Sequence, residues 1–531
     1  MTKNNASVSQ NNMAQEILSS VVVFLVALPL CIGIAVASGL PNAVEKGLIT
    51  GIVGGIVVGF LAGCPLQVSG PAAGLAIIIK ELIENPDIGI AGLGAIVFAA
   101  GIIQLVAGSF RLGRMFRAIS PAVIVGMLSG IGVLIFSSQF HVMIDDKIDG
   151  GGIQQLISIP GAFVKVMFPM ATDTHHLAAY AGVLTIVTLL LWNKFRPEKL
   201  KFIPGTLLGV AAAVIFVQIT GYNVDKITLP KSLVTKESLL NWGDAWSILQ
   251  TQQGIILAFT VAIVASAETL LCATAVDKLH DGQRTNYDKE LFAQGVGNII
   301  CGYLGSLPMT GVIVRSSANI NSGAKTRYSA ILHGFWLLLF IAIFPGVINL
   351  IPKASLAAIL VYIGIKLINV GFIKELKQYG RSEVVIYIAT IAGIVATNLL
   401  TGIMIGFGLA ILKMLYTMNH LSITVTKEKD PDQECYVMRF DGSATFLKIP
   451  ELAKNLEALP LDSEIHIHLD GLSYIDHACI DLLKSHSSQV EKRGGKMVLC
   501  WDSVAELFQK SKMGKNTEKK VKNSQDKDSN K

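Results

Sequence analysis

The sequence predicts a polytopic α-helical membrane protein with a small α/β domain near its C-terminal end. Three observations predict it. Of 531 residues, 52% are hydrophobic and only 15% are charged, whereas a soluble domain carries roughly a quarter charged residues. The charges are spaced so as to leave long charge-free runs. Past residue 420 those runs stop and period-two alternation begins. The same composition excludes a lone water-soluble globule, a disordered chain and a disulfide scaffold. A net charge of +6 is modest and is not read as affinity for nucleic acid. The seven cysteines form no CxxC pair and read as small buried hydrophobes.

A bilayer core of about 30 Å needs roughly 20 apolar residues per helix, and charges bracket the spans because they are costly at its centre. Glu16 to Glu45 is charge-free and holds segment 1. Ala35-Val36-Ala37 looks like a signal-peptide cleavage site, but the long apolar run and the acid at Glu16 favour a retained span. Lys46 to Lys80 is too long for one helix; it holds segment 2, a break at Cys64-Pro65, and segment 3. The runs Asp87–Arg111, Arg117–Asp145, Asp173–Lys194 and Lys201–Asp225 hold segments 4 to 7. Asp244–Asp277, interrupted only by Glu268, holds segment 8. Glu290–Arg315 holds segment 9 and the start of 10, and Arg327–Lys353 holds 11. Segment 12 runs through Lys366, which can snorkel. Glu383–Lys413 splits near Asn398-Gly402 into 13 and 14. The even-numbered ends collect Arg111, Arg114 and Arg117, then Lys194, Lys199 and Lys201, then Lys325 and Arg327. By the positive-inside rule, fourteen segments with both termini cytoplasmic fit that pattern.

The expected organisation is a flexible cytoplasmic N-terminus (1–13), a transmembrane domain (14–420), an α/β domain (421–511) and a disordered Lys-rich tail (512–531). Ile465–Leu469 and Lys496–Cys500 read as strands, and 449–459 and 480–492 as amphipathic helices. The tail would lie against anionic lipids.

Two places break the plain-helix pattern. In Gln67-Val68-Ser69-Gly70-Pro71-Ala72-Ala73-Gly74, Pro71 suits the first position of a helix. Only ten residues separate it from Lys80-Glu81, about 15 Å of helix, too short to span. Ser306-Leu307-Pro308-Met309-Thr310-Gly311 repeats the device before a short apolar run that ends at Arg315. In a seven-plus-seven division both breaks fall in the third segment of a half, the pattern of a transporter site between inverted repeats. Two helix N-termini facing each other present unpaired N–H groups and partial positive charge, a niche for an anion. The plainer reading is two kinked, tightly packed helices.

Glu268 is an intramembrane carboxylate, which carries a proton, pairs with a cation, or forms a structural salt bridge with Arg315. Arg315 either draws anions electrostatically towards the site or marks a cytoplasmic helix end. Gly51, Gly55, Gly59 and Gly63 form a small-residue stripe explained by close packing. His466 and His468 share a strand face, with no third ligand at metal spacing. No Walker, Rossmann, HExxH or nucleophile-elbow pattern occurs, which argues against ATP-driven transport, an enzyme or a bound cofactor.

From about residue 14 to 510 the chain resembles the SulP family of anion permeases. The resemblance is carried by Ala27-Leu28-Pro29, Val68-Ser69-Gly70-Pro71, Asn286–Leu291 with Gln294-Gly295-Val296-Gly297-Asn298, and Arg315-Ser316 with Asn319–Arg327. The C-terminal domain resembles a STAS domain. The resemblance implies two inverted seven-segment repeats arranged as a core and a gate, a homodimer, and a bacterial inner-membrane location. It places the anion against Gly70, Ala72 and Ala73 on one side and Thr310, Gly311 and Val312 on the other, with Leu30 and Ile34 lining the pocket. Glu268 matches the family's coupling acid. Sodium-dependent relatives carry an aspartate and, four residues on, a hydroxyl; here Glu268 is followed by Cys272, a poor sodium ligand. A proton is therefore the expected coupling ion, with sodium as the alternative. In phospho-switch STAS domains a serine follows the loop aspartate, whereas here His477 follows Asp476, which favours a scaffold or dimer role. The leading function is secondary transport of sulfate, bicarbonate or a similar inorganic anion. The alternatives are a passive channel-like anion pathway, sodium-coupled bicarbonate uptake, a non-transporting scaffold, and a nucleobase permease.

Overall fold

The computed structural model describes residues 2–114, 120–146, 150–167, 175–197, 200, 203–229, 239–418, 420–429 and 434–499. Arg117, Lys199, Lys201, Cys500 and the 512–531 tail lie outside the described residues. Contacts divide the chain into two units, 1–407 and 408–531.

The first unit is helical. Its elements are α1 (Thr2–Ala37) and α2 (Ala43–Val53), which a π-helical turn (Gly54–Val58) prolongs to Leu61. Next come a short strand β1 (Ser69–Pro71) and α3 (Ala73–Glu84), then α4 (Gly92–Ser109) and α5 (Pro121–Met143). They are followed by α6 (Gly152–Met167), α7 (His175–Phe195) and α8 (Gly205–Thr220). The second half holds α9 (Gln252–Leu279), α10 (Tyr287–Tyr303), β2 (Met309–Gly311) and α11 (Ile313–Asn321). It ends with α12 (Tyr328–Ile343), α13 (Lys353–Leu367), α14 (Arg381–Ala396) and the start of α15 (Leu399–Met418), a helix that runs across the division between the units. Among the described residues eight helices are long and apolar enough to cross a bilayer, and α8 and α12 are shorter apolar helices. Residues 2–13, expected as a flexible leader, form the first turns of α1. The stretch between Asp145 and Asp173, to which the charge spacing assigns no segment, contains α6.

Polar residues set the helix ends. Ser120 Oγ accepts from Ala122 N at 3.2 Å, with Pro121 in the first turn of α5. Thr251 Oγ1 accepts from Gly254 N at 3.0 Å and starts α9, and Asn286 Oδ1 accepts from Lys289 N at 3.0 Å and starts α10. Each hydrogen bond satisfies one of the N–H groups that a helix start leaves without a partner.

The packing pairs come in matched sets when the halves are exchanged. α4 lies on α10 as the π turn of α2 lies on α12; α4 lies on α9 as α1 lies on α12; α3 lies on α9 as α11 lies on α1. Away from this group, α5 packs on α13 and α14, and α7 packs on α13 and α8. These are the core and gate groupings that the sequence leads one to expect. The glycine stripe packs as expected: a Cβ at Gly55 would stand 2.6 Å from the Cα of Gly334 on α12, so only hydrogen fits.

The second unit is a four-stranded sheet in the order β3 (Leu421–Lys429), β4 (Glu434–Ala444), β5 (Glu464–Ile475), β6 (Lys496–Leu499). The β3/β4 pair is antiparallel and the other two pairs are parallel. Helices α16 (Ile449–Glu457) and α17 (His477–Lys492) supply the crossovers. Met438, Phe440, Ile465, Ile467 and Leu469 alternate inward against Leu452, Leu456, Cys479 and Leu483, the period-two and period-3.6 patterns meeting in one core. His466 and His468 point to the other face and pair with Glu464 at 3.3 Å and Asp470 at 3.7 Å.

Candidate functional site

β1 and β2 pair antiparallel, with Ser69 opposite Gly311, Gly70 opposite Thr310 and Pro71 opposite Met309. Val312 N extends the ladder to Val68 O at 2.9 Å. All six strand residues are buried. Each strand leads directly into a helix, α3 or α11, whose capping residue (Ala72 or Val312) is extended and offers no side-chain cap. The two helix starts therefore flank one short buried ladder, and neither has a side-chain cap. One expectation changes: Pro71 is the last residue of β1, and the helix begins at Ala73. A proline has no N–H to extend the ladder, so the strand ends there.

Arg315 also changes place. It lies in the first turn of α11 and is fully buried, whereas the sequence placed it at the end of the half-helix, either drawing anions towards the site or marking a cytoplasmic end. Its guanidinium lies against Gly70, where an added Cβ would overlap Nη1. None of its three side-chain nitrogens makes a hydrogen bond of ordinary geometry among the described residues, and its neighbour there is the buried Cys31 thiol, a weak partner. No ion pair joins it to Glu268 among the described residues. A buried, unpaired guanidinium is destabilising, and an anion beside it would remove that penalty.

Glu268, buried on α9, reaches both halves of the locus. Thr310 Oγ1 donates to its Oε2 at 3.3 Å, and an added Cβ at Gly74 would overlap its Oε1. Next to it, Thr269 Oγ1 accepts from Gly311 N at 3.1 Å. The Gly311 and Val312 amides are thus already held by protein, and Ala73 and the residues after it carry the free α3 N–H groups. One turn along α9, Cys272 Sγ lies 3.5 Å from Ser316 Oγ. Leu30 and Ile34 are buried one turn apart on α1. Ile34 and Ala73 face a gap of about 10 Å³ shared with Ile135, Gln139 and Leu360, room for no more than about one water.

The sequence reading missed the supports. Glu290, Gln294 and Asn298 occupy one face of α10, at i, i+4 and i+8. Glu290 is fully buried and accepts from Gly63 N at 2.8 Å, Cys64 N at 2.9 Å, Gln67 Nε2 at 2.8 Å and Gln294 Nε2 at 3.0 Å. Gln294 Nε2 also donates to Ser69 Oγ at 2.6 Å. Asn298 accepts from Met309 N at 2.8 Å and donates to Met309 O at 3.2 Å and Gln104 Oε1 at 2.7 Å. Its amide thus stands in for the missing neighbour strand of β2. The polar i, i+4, i+8 row was the sequence signal for this scaffold.

Fold and site define a helical membrane protein built around two crossed, strand-led half-helices. The chain belongs to the sulfate permease family, whose model matches residues 13–390, and the STAS domain model matches residues 426–526. It is 25% identical over 510 residues to YvdB of Bacillus subtilis (strain 168), named as a candidate sulfate transporter, covering 91% of each chain. It is 25% identical over 420 residues to the bicarbonate transporter BicA of Picosynechococcus, covering 77% of this chain and 71% of that one. Its fold is similar to the transmembrane domain of a cyanobacterial BicA, with a TM-score of 0.62 and 24% identity, over 74% of this chain and 97% of that one. Murine Slc26a9, an anion transporter solved in the inward-facing state, gives a TM-score of 0.72 at 15% identity, over 92% of this chain and 85% of that one.

Proposed function

We propose that the chain is a secondary carrier for a small inorganic oxyanion, sulfate or bicarbonate, working by movement of its core against its gate. The observation that carries this reading is the fully buried Arg315 guanidinium, without a hydrogen-bond partner among the described residues, beside Gly70 in the strand pair that leads into the uncapped starts of α3 and α11. Two helix N-termini and one guanidinium offer an anion both positive potential and N–H donors. Gly70, Ala72, Ala73 and Thr310 form the walls, Gly311 and Val312 hold the ladder, and Leu30 and Ile34 close the apolar side. Glu268 is the coupling acid. It hydrogen-bonds one half of the niche and lies over the first turn of the other, so its charge opposes that of the anion's site. A proton arriving at Glu268 would remove that opposition, which links anion occupancy to protonation. Fourteen segments with both termini cytoplasmic, a homodimer and a bacterial inner membrane complete the proposal; names of relatives such as the BicA bicarbonate transporter support the anion class.

The test is uptake of labelled sulfate and labelled bicarbonate into proteoliposomes under separately imposed proton and sodium gradients. Accumulation driven by the proton gradient is expected. Accumulation driven by sodium alone would replace the proton as the coupling ion. Current without any accumulation would replace the carrier with a channel-like pathway.

A further inference from the structure

A second basic cavity lies in the core, away from the crossed strands. It encloses about 250 Å³ between Pro65 and Leu66, the 280–283 turn after α9, and the 325–328 turn before α12. Its wall carries Lys325, Arg327 and His280, and no Asp or Glu is part of it.

The nearby acids are engaged elsewhere. Asp277 accepts from Thr285 N at 3.0 Å, Thr285 Oγ1 at 2.8 Å and Tyr287 OH at 3.0 Å. Glu16 accepts from Lys325 N at 2.8 Å, Thr326 N at 2.9 Å and Ser329 N at 3.1 Å, and Glu290 is spent on the α10 network. Asp281 is exposed beside His280. His280 Nδ1 accepts from Gly282 N at 2.9 Å, so the ring's proton sits on Nε2. That Nε2 is shielded from solvent and has no partner among the described residues. Arg327 spends Nη1 on Phe60 O at 2.7 Å, which orients the guanidinium and leaves other N–H groups available. Exposed Phe60 and Tyr328 stand at the same end of the core, as aromatic side chains do at a bilayer interface.

We propose that this cavity is a second, non-transport anion site that takes a phosphate group, either of a soluble phosphate or of an anionic lipid headgroup. Two cationic residues, Lys325 and Arg327, together with His280, line a concavity with room for a phosphate and part of the group that bears it. Its occupant would tie together three connections: the lead-in to β1, the turn between α9 and α10, and the turn between α11 and α12. Leu66 O accepts from Asn319 Nδ2 at 3.0 Å, so the wall of the cavity is part of the β1 lead-in and is bonded to α11. A bound phosphate therefore stiffens the core and modulates transport without entering the path of the transported anion.

The test is equilibrium binding of labelled inorganic phosphate to the purified full chain in nanodiscs of phosphatidylcholine and of phosphatidylglycerol. Lys325→Glu, at an exposed position with little structural risk, and Arg327→Gln should each weaken binding at least about ten-fold. Arg315→Gln should leave it unchanged. Binding lost only in phosphatidylglycerol discs assigns the site to a lipid headgroup, and equal binding in both assigns it to a soluble phosphate. Binding unmoved by Lys325→Glu, or abolished by Arg315→Gln alone, overturns the proposal. His280→Gln keeps an N–H donor and checks the fold: it should retain binding within about three-fold.

Discussion

Glu290→Gln is the sharpest perturbation of the scaffold that holds the crossed strands. The carboxylate accepts four hydrogen bonds, two from the Gly63 and Cys64 amides and two from Gln67 and Gln294. A glutamine presents one acceptor oxygen with two lone pairs and one NH₂ group. At least two of the four buried donors would then face another donor. Each donor left without a partner costs about 1–3 kcal/mol, so the substitution should destabilise the core by about 2–6 kcal/mol. The consequence is directional as well as energetic, because Gly63 to Gln67 is the lead-in to β1. Thermal unfolding of the full chain in detergent should show a midpoint several degrees lower, and anion uptake should fall in parallel. Gln294→Leu should cost less in the Glu290→Gln background than alone, with a coupling of about 1 kcal/mol or more. An unchanged midpoint, together with strictly additive effects, would refute the reasoning.

Other predictions bear on the site and on the STAS domain. Gly70→Ala puts a Cβ into the space of the Arg315 guanidinium, and should raise the apparent KM for the transported anion about ten-fold or more in liposome uptake. Glu268→Gln should abolish pH-driven uptake while membrane insertion, checked by size-exclusion profile, is kept; unchanged coupled uptake removes Glu268 from the mechanism. Asn298→Ala leaves Met309 N and O without their side-chain partner, and should cost about 2 kcal/mol or more in unfolding experiments. In the STAS domain, burial holds the His486 imidazole below its ordinary value, with Glu457 opposing that shift. The unfolded chain therefore binds the proton more readily, so this contribution is present above the ordinary histidine pKa and is lost as pH falls through it. Hydrogen-exchange protection of α17, taken relative to the intrinsic exchange rate at each pH, should fall below about pH 6.5, and His486→Asn should remove that step.

The crossed half-helices were legible because Pro71, Pro308 and their glycines leave too few residues to span a bilayer. The order of the helices was legible for the same kind of reason, since apolar runs and charges mark elements one by one. Charge spacing failed where a charged side chain is buried. Glu16, Lys46, Glu290 and Arg315 all bracket apolar runs in the sequence, yet all four are buried. Glu16 holds the start of α12 through three backbone amides, and Lys46 Nζ donates to Gly305 O at 2.6 Å. Glu16, Lys46 and Glu290 each have a partner hundreds of residues away in the other half, which no local window can contain. Charge spacing assigned no segment to α6, a 16-residue helix that begins at Gly152 and contains Pro160, two residue types that ordinarily interrupt helices.

The direct measurement is a crystal structure of the protein, shown to take up selenate in liposomes, grown with selenate and read at the selenium edge. The account predicts one strong anomalous peak within hydrogen-bonding distance of the first amides of α3 and α11, beside the Arg315 guanidinium. A peak elsewhere in the core, or two helix starts too far apart to touch one selenate, would contradict it.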